Sequence, residues 1–179
     1  MGLVEKLKKE FDIEEEWLSF EIHPETPPEG VLLTEHLPHI DWDEMYTGLR
    51  KSGEEYNISF GDVTILANSR KAFAASEFAR EHGQYRAFHE GLFYAYFTEV
   101  RNIGDVNVIL DVATKTGLDT ARLKRDLDRE KYLPVLEKVN RQARQLGFSG
   151  VPAFVINEKY SIVGVQPIEI FREAVIKSG

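Results

Sequence analysis

Two histidines, His36 and His39, lie three positions apart in a stretch that reads as a loop. Imidazole nitrogens at such a spacing can bind one metal ion from a single loop. No Asp, Glu or His completes a coordination shell around them convincingly, since Asp43 is merely nearby and Asp41 is better placed as the N-cap of a helix. We therefore interpret both histidines as solvated loop residues and predict no metal site.

Two other polar side chains belong to the predicted helical block. Asn68 stands at the start of a helical block, where its amide can donate and accept hydrogen bonds and can cap the helix. His89 lies at helical spacing with Tyr85 and Phe93, which favours a packed or half-buried helix histidine over a catalytic base.

The composition excludes several classes of function. The 179 residues include no cysteine, so the chain has no thiolate nucleophile, no disulfide and no cysteine-based metal site. The net charge of −8 argues against a nucleic-acid partner, because such proteins need a basic face. No apolar run approaches the roughly 20 residues of a membrane span, and no signal peptide is visible. We expect a cytoplasmic protein without nucleic-acid or membrane partners.

The elements that must position these residues follow from apolar periodicity. A short amphipathic helix is followed by an alternating segment, 13–22, which predicts a strand with Ser19 and Glu21 on one face and Leu18 and Ile22 on the other. A proline-rich loop and a short helix lead to a long helical block.

Two short strands and a last helix complete the chain, so a few strands bracket a helical block. This order predicts an α/β layered domain with a large helical insertion. The predicted ranges are strands at 152–157 and 160–164, a core made of 1–67 and 148–179, and an insertion at 68–147.

Several short strings, in this order and spacing, carry a resemblance over essentially the whole chain. The strings are Phe20-Glu21-Ile22-His23-Pro24 with Pro27-Pro28-Glu29-Gly30, Asn68-Ser69-Arg70, Phe88-His89 with Leu92-Phe93, and Gly150-Val151-Pro152-Ala153-Phe154 with Gly164 and Gln166-Pro167. They resemble the DsbA-like thioredoxin superfamily, most closely its FrnE-like branch, near the 2-hydroxychromene-2-carboxylate isomerases and the kappa-class glutathione transferases.

The resemblance implies a thioredoxin-like fold and a substrate site. It makes Val151-Pro152 a cis-proline pair before a core strand, with the Val151 backbone free to bind an extended substrate. It places His23 near the rim of the cleft, although His23 is equally well explained as an exposed turn residue. Asn68 would lie near the substrate, as in the related isomerases. The stripe formed by Phe88, Leu92, Phe93, Tyr96 and Phe97 could line an apolar cleft, but most of it is expected to be core.

The reactive half of that family's site is absent. Its members begin with a strand that leads into Cys-x-x-Cys, and residues 2–11 here resemble the remainder of the active-site helix. No catalytic residue is therefore assigned. The missing strand would be central, between 13–22 and 152–157, so we expect the strands to close up, a second chain to cover the gap, or the true translation start to lie upstream.

Three functions stay open at this point. The first is a DsbA/FrnE-type thiol–disulfide oxidoreductase whose dithiol is missing, so that this chain is redox-inactive. The second is a glutathione-dependent isomerase, with glutathione as a possible cofactor. The third is a non-catalytic module that binds peptides by backbone pairing. The expected partner is a disulfide- or thiol-bearing peptide or small molecule, with a homo-oligomer covering the gap as a further possibility.

Overall fold

A computed structural model describes residues 2–54 and 57–179. The chain forms two compact units: the residues up to Ile22 together with Lys138–Gly179 make the first, and His23–Glu137 makes the second. The predicted domain boundaries, 67/68 and 147/148, do not coincide with the boundaries of these units.

Helices dominate the described residues, and the strands are short. The helices are α1 Gly2–Leu7, α2 Leu33–His36, α3 Trp42–Glu54, α4 Arg70–Glu81, α5 Tyr85–Phe93, α6 Val106–Lys115, α7 Thr120–Asp128, α8 Leu133–Gln145 and α9 Ile168–Ser178, and a π-helical turn, Tyr94–Thr98, continues α5. The strands are β1 Val31–Leu32, β2 Ile65–Leu66, β3 Ala153–Ile156 and β4 Tyr160–Val163. None of the helices in the described part of the chain is both long enough and apolar enough to cross a membrane.

The helical block of the second unit forms where the sequence predicts it. Asp105 and Asp119 cap α6 and α7, because their carboxylates accept hydrogen bonds from the backbone N–H groups of Asn107 (2.8 Å) and Arg122 (2.9 Å). The apolar faces of α4 to α7 then pack into one core. Its fully buried members include Phe78, Phe88, Ile109 and Leu123.

The first unit is built around the antiparallel hairpin of β3 and β4. Phe154 lies opposite Ile162, and Ile156 opposite Tyr160. Asn157 and Glu158 form the turn with positive φ values of 47° and 57°. One face of the hairpin packs against α1 and α9, in a cluster that contains Leu7, Phe154, Ile156, Ile162 and Phe171.

The predicted strand at 13–22 is wrong, since these residues pair with no strand among the described residues. Burial still alternates along the segment, as the sequence indicates, but it is the polar face that is inside. Ser19 and Glu21 are each 4% exposed, whereas Leu18 is 58% exposed. The physical reason is that the alternation of side chains is a property of the segment itself. The hydrogen bonds that make it a strand need a second strand, which the segment's own residues do not reveal. The sequence also missed β1 and β2, which are only two residues long. β1 lies in the predicted proline-rich loop, and β2 lies in the stretch before the helical block, to which no element was assigned.

Candidate functional site

The Val151–Pro152 pair lies directly before β3 in the first unit. The peptide bond between the two residues is cis, and both side chains are exposed. The carbonyl oxygen of Pro152 accepts a hydrogen bond from the Gly164 N–H at 2.8 Å. The hairpin ladder therefore extends beyond β3 as far as Pro152, and Val151 lies just outside it.

One edge of the hairpin is open. In an antiparallel pair, hydrogen-bonded and non-hydrogen-bonded residue pairs alternate. Because Pro152 and Gly164 form a hydrogen-bonded pair, the backbone groups of Ala153 and Val155 point away from β4. The sheet that contains β3 has only two strands within the described residues, so no strand occupies this outer edge.

The face of the hairpin that turns away from the core is apolar and exposed. Side chains of directly opposed residues lie on the same face of a sheet. The register places Val155 and Val163 together on this face, and their exposed fractions are 48% and 47%. Val151 and Val165 lie just beyond the paired residues and are 58% and 82% exposed. Exposed valines beside a free strand edge are typical of a surface that binds another chain.

The extended segment 12–22 belongs to the same unit and also lacks a strand neighbour among the described residues. Its end is fixed by α8: Asn140 accepts a hydrogen bond from the Glu21 N–H at 2.9 Å and donates one to the Glu21 carboxylate at 2.7 Å. The buried hydroxyl of Ser19 has no hydrogen-bond partner in the part of the chain that is described. The sequence analysis expected both segments to flank an absent strand, and each has a side that pairs with no strand among the described residues.

Asn68, in the second unit, forms hydrogen bonds through both the nitrogen and the oxygen of its side-chain amide. Nδ2 donates to the carbonyl oxygen of Thr26 at 2.5 Å, and Oδ1 accepts from the Arg70 N–H at 3.1 Å. The helix α4 begins at Arg70, so Asn68 stabilises its first turn and ties it to the loop that begins at His23. The predicted substrate-binding role of Asn68 stays a prediction.

His23 lies in that loop, beside two other potential metal ligands. Its Nδ1 is 3.2 Å from Oε1 of Glu25, and its ring meets the ring of His36 edge-on with centroids 5.0 Å apart. Hydrogen bonds from its own backbone and from His23 lower the pKa of Glu25. The sequence paired His36 with His39 instead, because a pair three residues apart is visible locally. The group that forms does not include His39, and it depends on a loop closure that spacing alone does not reveal.

His89 is a half-buried helix residue, as predicted. Its ring stacks on Tyr85, with centroids 5.4 Å apart, and lies 4.6 Å from Phe93. Burial lowers the pKa of His89 below its usual value, with Arg80 adding to this effect and Glu90 opposing it. The aromatic stripe is largely core, as expected, since Phe88 and Leu92 are buried; Phe93 is the exception at 51% exposed.

Comparison with known proteins places these features in a family context. The sequence profile described as "DSBA-like thioredoxin domain" matches residues 3–175. The chain is 27% identical over 167 residues to the uncharacterized protein YwbO of Bacillus subtilis (strain 168), covering 92% of this chain and 82% of that protein.

A solved structure shares the fold. The crystal structure of a probable DsbA oxidoreductase from Streptomyces coelicolor superposes with a TM-score of 0.78 at 23% identity, covering 89% of this chain and 73% of that one. The thioredoxin-like α/β fold predicted from the sequence is therefore confirmed.

Proposed function

The chain belongs to the DSBA-like thioredoxin domain family, and from this premise we propose that it binds an extended polypeptide along the open edge of β3, as the substrate-binding part of a FrnE-type thiol–disulfide oxidoreductase. The observation that carries the proposal is the outward-facing backbone of Ala153 and Val155, next to the exposed Val151 and beside the exposed valines of the same hairpin. A free strand edge binds an extended peptide by adding it as a further strand.

The backbone supplies most of the recognition in this proposal. No described residue accepts a hydrogen bond from the Val151 N–H or donates one to its carbonyl oxygen. A peptide lying alongside could use those two groups and the equivalent ones of Ala153 and Val155, each bond contributing about 0.5–1.5 kcal/mol. The exposed valines add an apolar preference, so the proposed ligand is an extended segment with apolar side chains on one face.

The redox step lies outside these residues. Dithiol exchange needs a thiolate that attacks a disulfide sulfur, and the 179 residues contain no cysteine. We expect insulin reduction by this chain alone to stay at background. Activity above background would contradict this expectation. The cytoplasmic location expected from the sequence also stays a prediction.

The proposal can be tested with a fluorescein-labelled decapeptide of alternating valine and serine, followed by fluorescence anisotropy. Val151→Pro removes the N–H donor and should weaken binding by about fivefold, which corresponds to one hydrogen bond of about 1 kcal/mol. Val151→Thr keeps the N–H and the branched shape, and serves as the matched control. A peptide N-methylated at alternate residues should bind far more weakly than the parent peptide.

Other outcomes assign the edge differently. Equal binding of the parent and N-methylated peptides, or of wild type and Val151→Pro, would exclude strand addition. Displacement of the peptide by reduced glutathione would favour the isomerase alternative. A concentration-dependent dimer in analytical ultracentrifugation that Val151→Pro abolishes would assign the edge to a second copy of this chain.

A further inference from the structure

We propose that His23, Glu25 and His36 form a binding site for a divalent transition-metal ion, with Zn²⁺ as the ion that fits best. Each residue offers one ligand atom, and these atoms all lie within 4.8 Å of one another. The site lies wholly in the second unit and does not depend on the peptide-binding surface of the first.

One ligand distance already matches that of a bound ion, and the others lie within 4.8 Å. In a tetrahedral zinc site with bonds of about 2.0–2.1 Å, neighbouring ligand atoms are about 3.4 Å apart. His23 Nδ1 and Glu25 Oε1 are already 3.2 Å apart. The Glu25 side chain is 65% exposed, so its carboxylate can rotate towards an ion without disturbing any core packing.

The ligand types select the class of ion. Imidazole suits zinc and the neighbouring transition metals, whereas Mg²⁺ and Ca²⁺ prefer shells made of oxygen. Two histidines and one carboxylate would leave a fourth position for water or a substrate atom. That arrangement is typical of an open site rather than a closed structural one.

The backbone that carries His23 and Glu25 is held in place by hydrogen bonds. Both the N–H and the hydroxyl of Thr26 donate to the carbonyl oxygen of His23, at 3.2 and 2.9 Å. Thr26 is buried, and its own carbonyl accepts from Asn68 at 2.5 Å. A loop ordered before an ion arrives loses little conformational entropy on binding, which favours affinity.

The third ligand is equally well anchored. His36 is the last residue of α2, whose first residue, Leu33, is buried and donates its N–H to the carbonyl oxygen of Thr64 at 2.9 Å. The Leu37 N–H then donates to the Leu33 carbonyl at 2.8 Å and closes the turn. The ring of His36 is thereby presented to His23 from a fixed backbone.

Isothermal titration of ZnCl₂ into the full chain, purified without a histidine tag and stripped with EDTA, tests the proposal. We expect a single ion per chain, and Glu25→Gln and His36→Gln should each weaken binding by at least about tenfold. His39→Gln is the matched control and should bind like wild type. MgCl₂ should give no binding heat. Circular dichroism checks that each variant is folded.

Spectroscopy provides a second measurement that does not depend on affinity. Co²⁺ in place of Zn²⁺ should give the visible absorption of a four- or five-coordinate site in wild type and lose it in Glu25→Gln. The proposal is overturned if wild type shows no zinc heat beyond dilution, or if Glu25→Gln and His36→Gln bind as wild type does. It is equally overturned if His39→Gln is impaired as much as His36→Gln.

Discussion

Asn140 and Glu21 hold each other through two hydrogen bonds across 119 residues of sequence separation. The Asn140 side chain accepts from the Glu21 backbone and donates to the Glu21 carboxylate, and both residues are buried. The contact fixes the end of the extended segment 12–22 against α8. The contact anchors a segment that pairs with no strand among the described residues.

Replacing Asn140 with alanine should therefore destabilise the protein. Asn140→Ala removes an acceptor from a buried N–H and a donor from a buried carboxylate, and we expect a loss of about 2–4 kcal/mol in the free energy of unfolding. Urea denaturation measures it. Asn107→Ala is the control: it removes an exposed side-chain hydrogen bond to Asp105 (3.0 Å) on α6 and should cost less than about 1 kcal/mol. Equal stabilities for the two variants would show that the contact contributes nothing.

Asn68 should be sensitive to the exchange of its donor for an acceptor. Asn68→Asp keeps the oxygen that accepts from Arg70 but turns a carboxylate oxygen towards the carbonyl of Thr26. We expect a loss of about 1–3 kcal/mol and faster amide hydrogen exchange at Thr26. Asn102→Asp is a matched control, since Asn102 donates in the same way to the carbonyl of Glu29 at 3.1 Å. In this control variant, faster amide hydrogen exchange should be confined to the neighbourhood of Gly30. Unchanged exchange at Thr26 would mean that Asn68 does not hold this loop.

His89 should make stability depend on pH. Burial lowers its pKa in the folded state below the usual 6.5, so the unfolded chain binds the proton more tightly. The stability that the neutral, buried His89 contributes is fully present above pH 6.5 and decreases as the pH falls below that value. His89→Phe keeps an aromatic ring against Tyr85 and Phe93 and cannot titrate. Between about pH 7.5 and pH 5.5, wild type should lose more unfolding free energy than this variant. Parallel curves would contradict the lowered pKa.

Local signals in the sequence predicted the helical block well, and non-local contacts explain what it missed. Asp105 caps the start of α6, and Gly117 follows its end with a positive φ. Both residues act on the adjacent helical turn, so α6 could be predicted from local sequence. The prediction of a strand at 13–22 was wrong because hydrogen bonding between strands depends on a second strand elsewhere in the chain. The group of His23, Glu25 and His36 could not be predicted either, since the loop that forms it is tied down by Asn68, 42 residues from Thr26.

Gly30 marks the place where the same loop enters β1, and it should not tolerate a side chain. Its φ is +84°, and a Cβ there would lie 2.6 Å from Cγ2 of Ile65 and 2.8 Å from the carbonyl oxygen of Leu66. Gly30→Ala therefore combines a left-handed backbone with a steric clash against β2. We expect a loss of about 2–4 kcal/mol in the free energy of unfolding.

Gly83 separates the two causes. Its φ is +69°, but a Cβ there would meet nothing within 4 Å, so Gly83→Ala carries only the backbone cost of about 1–2 kcal/mol. The difference between the two variants, measured by urea denaturation, is the cost of pushing β1 and β2 apart. If Gly30→Ala is no less stable than Gly83→Ala, then the chain relaxes at this point, and the loop from His23 to Gly30 is not held as closely against β2 as its contacts indicate.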